Sequence, residues 1–174
     1  MIHADHVNLI RNGVPSSGGV WADFGSGTGA FTLALVELLG PTGEIYSIDQ
    51  NAAALKTQAQ LLCERFPGNI VHYRRADFTR PIELPPLNGG LMANSLHFHR
   101  NKRPLIESIK SYLKPLGRLI LVEYNVDVGN SAVPYPLPYP AWVKLSADCG
   151  LANTQLLATR PSRFLNEIYS AVSW

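Results

Sequence analysis

Positions 23 to 29 read Asp-Phe-Gly-Ser-Gly-Thr-Gly, and three glycines at alternate positions restrict what the flanking residues can build. Glycine lets the backbone turn sharply and lets a ligand approach closer than a Cβ would permit. The apolar run Gly19 to Phe24 precedes the loop. Ala30 to Leu39, a helical run stopped by Gly40-Pro41, follows it. A strand, a glycine turn and a helix in that order belong to an open parallel sheet, which binds ligands beyond the carboxyl ends of its strands.

The rest of the chain repeats the alternation. Strands are expected at Glu44 to Ile48, Ile70 to Arg75, Gly89 to Asn94 and Gly117 to Tyr124. Helices are expected at Asn51 to Phe66, with Asn51 as cap, at Lys102 to Leu113 and at Ala141 to Cys149, closed by Gly150. Residues 78–88 and 126–140, both rich in proline, read as loops. Thr154 to Arg160 and Phe164 to Ser173 read as two strands with no helix between them, which suggests an antiparallel hairpin at the sheet edge. The 174 residues fit a single α/β domain, 1–174, able to bury a core without staples. A net charge of +2 with no basic run gives no footprint for nucleic acid. No apolar run is long enough for a membrane span, and Met1 to Arg11 has no signal-peptide core, so the cytoplasm is the expected compartment. Cys63 and Cys149 read as buried thiols without metal-ligand spacing.

The glycine loop admits two cofactor classes. Gly25-x-Gly27-x-x-Ala30 satisfies the dinucleotide pattern with Ala in the last place, whereas a phosphate-binding P-loop is excluded because no Gly-Lys-Ser/Thr follows. Asp23 favours the other class. A carboxylate beside the turn repels a pyrophosphate by on the order of several kcal/mol in a low-dielectric site, but suits a ligand with sulfonium and ammonium groups. The bland reading of Asp23 is a helix cap. Asp49 ends the second strand about 20 residues past the loop, where an acid accepts hydrogen bonds from ribose hydroxyls; its bland reading is the start of a turn before Asn51.

Together these residues resemble the class I S-adenosylmethionine-dependent methyltransferases. Asp23 to Gly29 fits the acid-x-Gly-x-Gly-x-Gly motif, Asp49 in GEIYSID the second acid and Asp77 in RADF the third. LMANSLHF resembles the fourth motif. LIESIKSYLKPLGRLILVEYN resembles the family's helix, turn and fifth strand, with Leu116 in place of a glycine. The resemblance runs from about Gly19 to Asn125 and implies a doubly wound, Rossmann-like sheet of seven strands. That sheet is mostly parallel, with helices on both faces and an antiparallel last strand. It also implies that Gly25, Ser26, Gly27, Thr28 and Gly29 lie along the methionine portion of S-adenosylmethionine. Asp49 would hold the ribose, with Gln50 near the adenine. Asp77 would accept the adenine amino group, with Phe78 beside the ring, and Asn94 and Ser95 would meet the methionine amine or carboxylate. A turn cap is the alternative for Asp77. Asn94 lacks the Pro-Pro-Tyr/Phe continuation of enzymes that methylate amide or amine nitrogens.

Methyl transfer from a sulfonium needs orientation and desolvation, and a general base only where the acceptor begins protonated. His97, His99, Glu123 and Tyr124 stand near the strand ends. His97 is the candidate base, against the alternative that it packs in the first turn of a helix. His97-x-His99 lacks a third ligand, so no metal is expected. The acceptor is expected to be a small molecule ahead of a protein side chain. It would be recognised by His3 to Arg11, by loops 78–88 and 126–140 with Tyr135 and Tyr139 as an aromatic rim, or by a partner chain. Two other functions compete: a non-catalytic cofactor-binding subunit and a nicotinamide-dependent oxidoreductase. The oxidoreductase lacks a Tyr-x-x-x-Lys set and is opposed by Asp23. The pattern says nothing of oligomeric state.

Overall fold

The computed structural model describes residues 1–162 and 164–174. Strands β1 (Gly19–Phe24), β2 (Gly43–Asp49), β3 (Ile70–Arg75), β4 (Leu87–Ala93), β5 (Leu113–Tyr124), β6 (Thr154–Pro161) and β7 (Glu167–Ser173) form one sheet in the order β3-β2-β1-β4-β5-β7-β6. The first five in that order are parallel, and β7 runs antiparallel to both β5 and β6. The terminal hairpin is therefore at the edge as expected. β7 inserts between its partner and the rest of the sheet.

Alternation along the central strands separates two cores. From β1 and β5, Ala22, Phe24, Leu119 and Leu121 face one side. There they meet Leu105, Ile106 and Ile109 of α4 (Arg103–Ser111) and Trp142 of α5 (Tyr139–Asp148). Trp21, Ile120 and Val122 face the other side. They meet Val7, Leu9 and Ile10 of α1 (His3–Ile10), the largely apolar α2 (Ala30–Leu39) and Leu62 of α3 (Ala52–Arg65). Helices thus cover both faces. Asn51 caps α3 as expected, its Oδ1 accepting from the amides of Ala53 and Ala54 at 3.0 and 3.1 Å.

Several boundaries differ from the sequence expectation. The polar-looking N-terminus forms α1, because Val7, Leu9 and Ile10 share a face that α2 and the sheet can bury. The helix expected to reach Leu113 ends at Ser111, and β5 begins at Leu113 instead of Gly117. Its first residues run through an irregular register beside β4, with Leu116 at φ +63° and fully in solvent. β4 takes Leu87 from the expected loop, α5 begins at Tyr139 inside the proline-rich stretch, and β7 begins at Glu167, not Phe164. Cys149 is buried, but Cys63 is exposed, on the solvent side of α3. Among the described residues no helix is long and apolar enough to cross a membrane.

Candidate active site at the glycine loop

The carboxyl ends of β1 and β4 and the start of α2 enclose a cleft of about 270 Å³. Asp23, Gly25, Ser26, Gly27, Thr28 and Asn94 line it, with Met1 and His6 of the N-terminal segment as its cover. Six of the residues expected to hold a cofactor therefore meet in one place, with Met1 and His6 of the N-terminal segment beside them.

Close packing dictates the glycines. A Cβ on Gly25 (φ +81°) would lie 2.6 Å from Ser95 Cβ, and one on Gly29 (φ +88°) 2.4 Å from Gln58 Cγ. Ser95 is buried, its hydroxyl donating to the Phe24 carbonyl at 2.8 Å. Phe78 is also buried, edge-on to Phe24 at 6.3 Å beneath the loop. Under the other side of the loop the Ser47 hydroxyl lies 2.8 Å from Ser26 Oγ and 2.9 Å from Gln58 Oε1. Nothing in the spacing announces Gln58 or Ser47. Both come from elements that pack against the loop only once the sheet forms.

The loop spends its own amides internally. Gly25 and Ser26 N–H both donate to the Ile48 carbonyl (2.9 and 3.0 Å), and Gly29 N–H to the Ser26 carbonyl (2.9 Å). Gly27 N–H donates to Asp49 Oδ2 at 2.8 Å. Four of the five amides from Gly25 to Gly29 are thereby committed, which leaves no nest of donors for a pyrophosphate. The cleft presents acceptors instead. Asp23 takes one hydrogen bond, from Thr32 Oγ1 to Oδ2 at 2.6 Å, while its Oδ1 and the Oδ1 of Asn94 are buried without a donor among the described residues. Burial raises the Asp23 carboxyl to about 7, opposed by the Thr32 hydrogen bond and reinforced by the nearby Asp49 charge. Asn94 reaches the cleft through a left-handed backbone, φ +53°.

Asp49 is half-buried and joins two roles. Its Oδ1 accepts from Asn51 N–H at 2.7 Å, the turn reading, while its Oδ2 ties down the glycine loop. Each oxygen keeps a lone pair. Gln50 beside it is exposed. Asp77 behaves as a turn cap: Oδ1 accepts from the Thr79 amide and hydroxyl at 3.0 and 2.7 Å. Those bonds hold its carboxyl below the usual range. Gly29, Asp49, Gln50, Asp77, Phe78 and Ser95 do not line the cleft themselves.

His97 lines neither this cleft nor the larger cavity beside it. It sits in a single helical turn, Leu96–Phe98, 3% exposed, with Nδ1 2.8 Å from Glu123 Oε2. Glu123 Oε1 also accepts the Leu96 and His97 amides at 3.0 and 3.1 Å. The carboxylate fixes the imidazole, and Nε2 has no hydrogen-bond partner among the described residues. His99 packs against Phe78 instead, and burial lowers its basicity. The expected aromatic rim does not form over the cleft. Tyr139 packs on Tyr169, and Tyr135 lies near Lys102, because the prolines carry residues 126–140 across the α4–α5 side.

A sequence model described as a methyltransferase domain matches residues 15–157. The chain belongs to the methyltransferase-domain family. Among curated relatives it is similar to the ubiquinone/menaquinone biosynthesis C-methyltransferase UbiE of Pseudomonas aeruginosa (strain PAO1), 31% identical over 115 residues, 66% of this chain and 45% of that protein. The UbiE of Stutzerimonas stutzeri (strain A1501) is 31% identical over 104 residues, 59% of this chain and 41% of that protein. The chain spans less than half the length of these relatives. Among solved structures, the YcgJ protein from Bacillus subtilis superposes with a TM-score of 0.77 at 12% identity, covering 98% of each chain. Magnesium protoporphyrin IX methyltransferase (ChlM) from Synechocystis PCC 6803, which has S-adenosylmethionine bound, gives 0.73 at 18% identity, covering 98% of this chain and 79% of that one. At these identities the structural likeness is one of fold, and that fold is the Rossmann-like methyltransferase sheet.

Proposed function

We propose that residues 1–174 act as one unit that transfers a methyl group from S-adenosylmethionine to a small-molecule acceptor. The observation that carries this reading is the pair of donorless buried oxygens, Asp23 Oδ1 and Asn94 Oδ1, in a cleft whose loop amides are already spent. Acceptors without donors fit an ammonium and a sulfonium and oppose a pyrophosphate, which disfavours a nicotinamide cofactor. Bound there, S-adenosylmethionine supplies an electrophilic methyl on positively charged sulfur.

The chain's residues do the rest. Asp23 and Asn94 receive the methionine ammonium, with Ser95 holding their strand ends together through Phe24. Gly25, Ser26, Gly27, Thr28 and Gly29 line the methionine portion. Asp49 accepts the ribose hydroxyls on its remaining lone pairs, and Gln50, Phe78 and Asp77, whose Oδ2 lies 3.8 Å from Arg80 Nε, border the adenine. Met1 and His6 cover the cleft and exclude water. His97 receives the acceptor's proton at Nε2 through water, since its ring lines neither cavity, and Glu123 is the positioning residue that holds the ring at Nδ1. The exposed thiol of Cys63 suits a reducing compartment, and we assign the chain to the cytoplasm.

Calorimetric titration with S-adenosylmethionine, S-adenosylhomocysteine and NADH tests this reading. Binding of the two sulfur nucleosides, lost in Asp49→Ala and absent for NADH, is expected. Binding of NADH alone would overturn it. Sulfur-nucleoside binding with no transfer to any acceptor would favour a non-catalytic subunit.

A further inference from the structure

A second cavity, about 550 Å³, opens at the same edge of the sheet, and Met1 lines both it and the glycine-loop cleft. Its volume suits one small molecule. Its floor is the end of β5 and the start of β7, where Tyr124 pairs with Ile168. Phe164 forms one wall, its ring 5.9 Å from that of Tyr124 and tilted by 54°, and Ile2 adds apolar surface. Phe164 is more than half exposed although it belongs to no strand and no core cluster. Two rings converging on open space offer edge and face to a third ring at ordinary aromatic spacing.

The polar side of the cavity is narrower. Arg160 of β6 is paired with Asp5 Oδ1, and Asp5 Oδ2 accepts the Ile2 amide at 2.8 Å. That amide, then Arg160, keeps the Asp5 carboxyl below the usual range and charged. A guanidinium has five N–H donors, so Arg160 retains donors for a further oxygen. Its charge is matched by Asp5, and the Met1 ammonium, which also acts on Asp5, is a second cation among the described residues of the cavity. On the far side of Tyr124, 5.9 Å ring to ring, stands His97.

We infer that this cavity is the acceptor site and takes a planar aromatic ring bearing a hydroxyl or carbonyl oxygen, with Tyr124 and Phe164 selecting the ring and Arg160 the oxygen. The inference rests on the methyl-transfer reading. For a hydroxyl acceptor the balance is complete: the oxygen forms a bond to the methyl carbon, the carbon–sulfur bonding pair returns to sulfur, and the hydroxyl proton leaves to water in the open cavity, reaching His97 behind the Tyr124 ring only by that relay.

The test is a ligand-observed NMR titration of the full chain, with and without S-adenosylhomocysteine. The probes are 4-hydroxyacetophenone and its saturated analogue 4-acetylcyclohexanol. The aromatic ring should bind at least about fivefold tighter than the saturated one and should bind together with S-adenosylhomocysteine. Phe164→Ala should weaken the ring by a similar factor and leave S-adenosylhomocysteine affinity unchanged, and Phe164→Tyr should restore it. Equal affinity for the saturated analogue, indifference to Phe164→Ala, or displacement by S-adenosylhomocysteine would each overturn the assignment. Failure of S-adenosylhomocysteine to bind would instead overturn the donor reading on which the acceptor role depends, and its own titration separates the two failures.

Discussion

Replacing Asp23 with Asn should stabilise the ligand-free protein and abolish donor binding, and the gain should depend on pH in a defined way. The folded chain holds the Asp23 carboxyl at about 7, mainly by burial, against a reference value of 3.8. Because the folded-state value is raised, the folded chain binds this proton more tightly than the unfolded chain does. Stability from Asp23 is therefore full below about pH 4 and is lost progressively as pH rises to about 7. The interval is roughly three pH units at about 1.36 kcal/mol each, a loss on the order of 4 kcal/mol that Asn, which does not ionise, escapes. At about 2–4 °C per kcal/mol for a chain of this size, the melting temperature of Asp23→Asn relative to wild type should rise by roughly 8–16 °C between pH 4.5 and pH 8. The Thr32 hydrogen bond survives on the Asn carbonyl, so any fixed cost of the new amide shifts the whole curve and not its slope. Scanning calorimetry of both proteins between pH 4.5 and 8 reads the difference. A difference that stays flat across that range would refute a buried, donorless Asp23. The same carboxylate must ionise to receive a cation, so wild-type affinity for S-adenosylmethionine should fall about tenfold per unit below pH 7.

Gly29→Ala should cost about 2–4 kcal/mol in urea unfolding, since it combines a left-handed backbone with a Cβ 2.4 Å from Gln58 Cγ; a neutral result would mean the Gln58 side chain is not packed there. Leu116→Gly should stabilise by up to about 1 kcal/mol in the same assay, because the leucine is solvent-exposed at φ +63° and loses little packing on removal. Glu123→Gln should lower kcat/KM by about 10²–10⁴-fold with donor affinity retained, because an amide N–H facing His97 Nδ1 forces the proton onto Nε2; unchanged turnover would remove His97 from the proton path.

Much of the fold was legible because its signals are local. β1 and α2 begin and end where apolar runs meet Gly, β3 begins after Asn69, and the Asn51 cap shows in its residue type. α1 was hidden because its buried face is only three residues wide among polar neighbours, and α2, which it covers, lies beyond β1 in sequence. The start of β5 was hidden by Lys114-Pro115, which reads as a helix stop and is also the irregular entry to a strand. At the site, Asp23, Asp49 and the glycines were legible from strand ends and spacing. Asp77 shows its turn-cap side in the structure, and His97 is enclosed with Glu123. Thr32, Gln58, Met1 and Arg160 were not legible, because their relation to the clefts exists only after helices pack across the sheet.

The most direct test of the central claim is a crystal structure of the chain with S-adenosylhomocysteine. The account places the amino nitrogen of that ligand within hydrogen-bond distance of both Asp23 Oδ1 and Asn94 Oδ1, with the ribose on Asp49. A ligand whose amine points to solvent while both oxygens stay without a donor would contradict it.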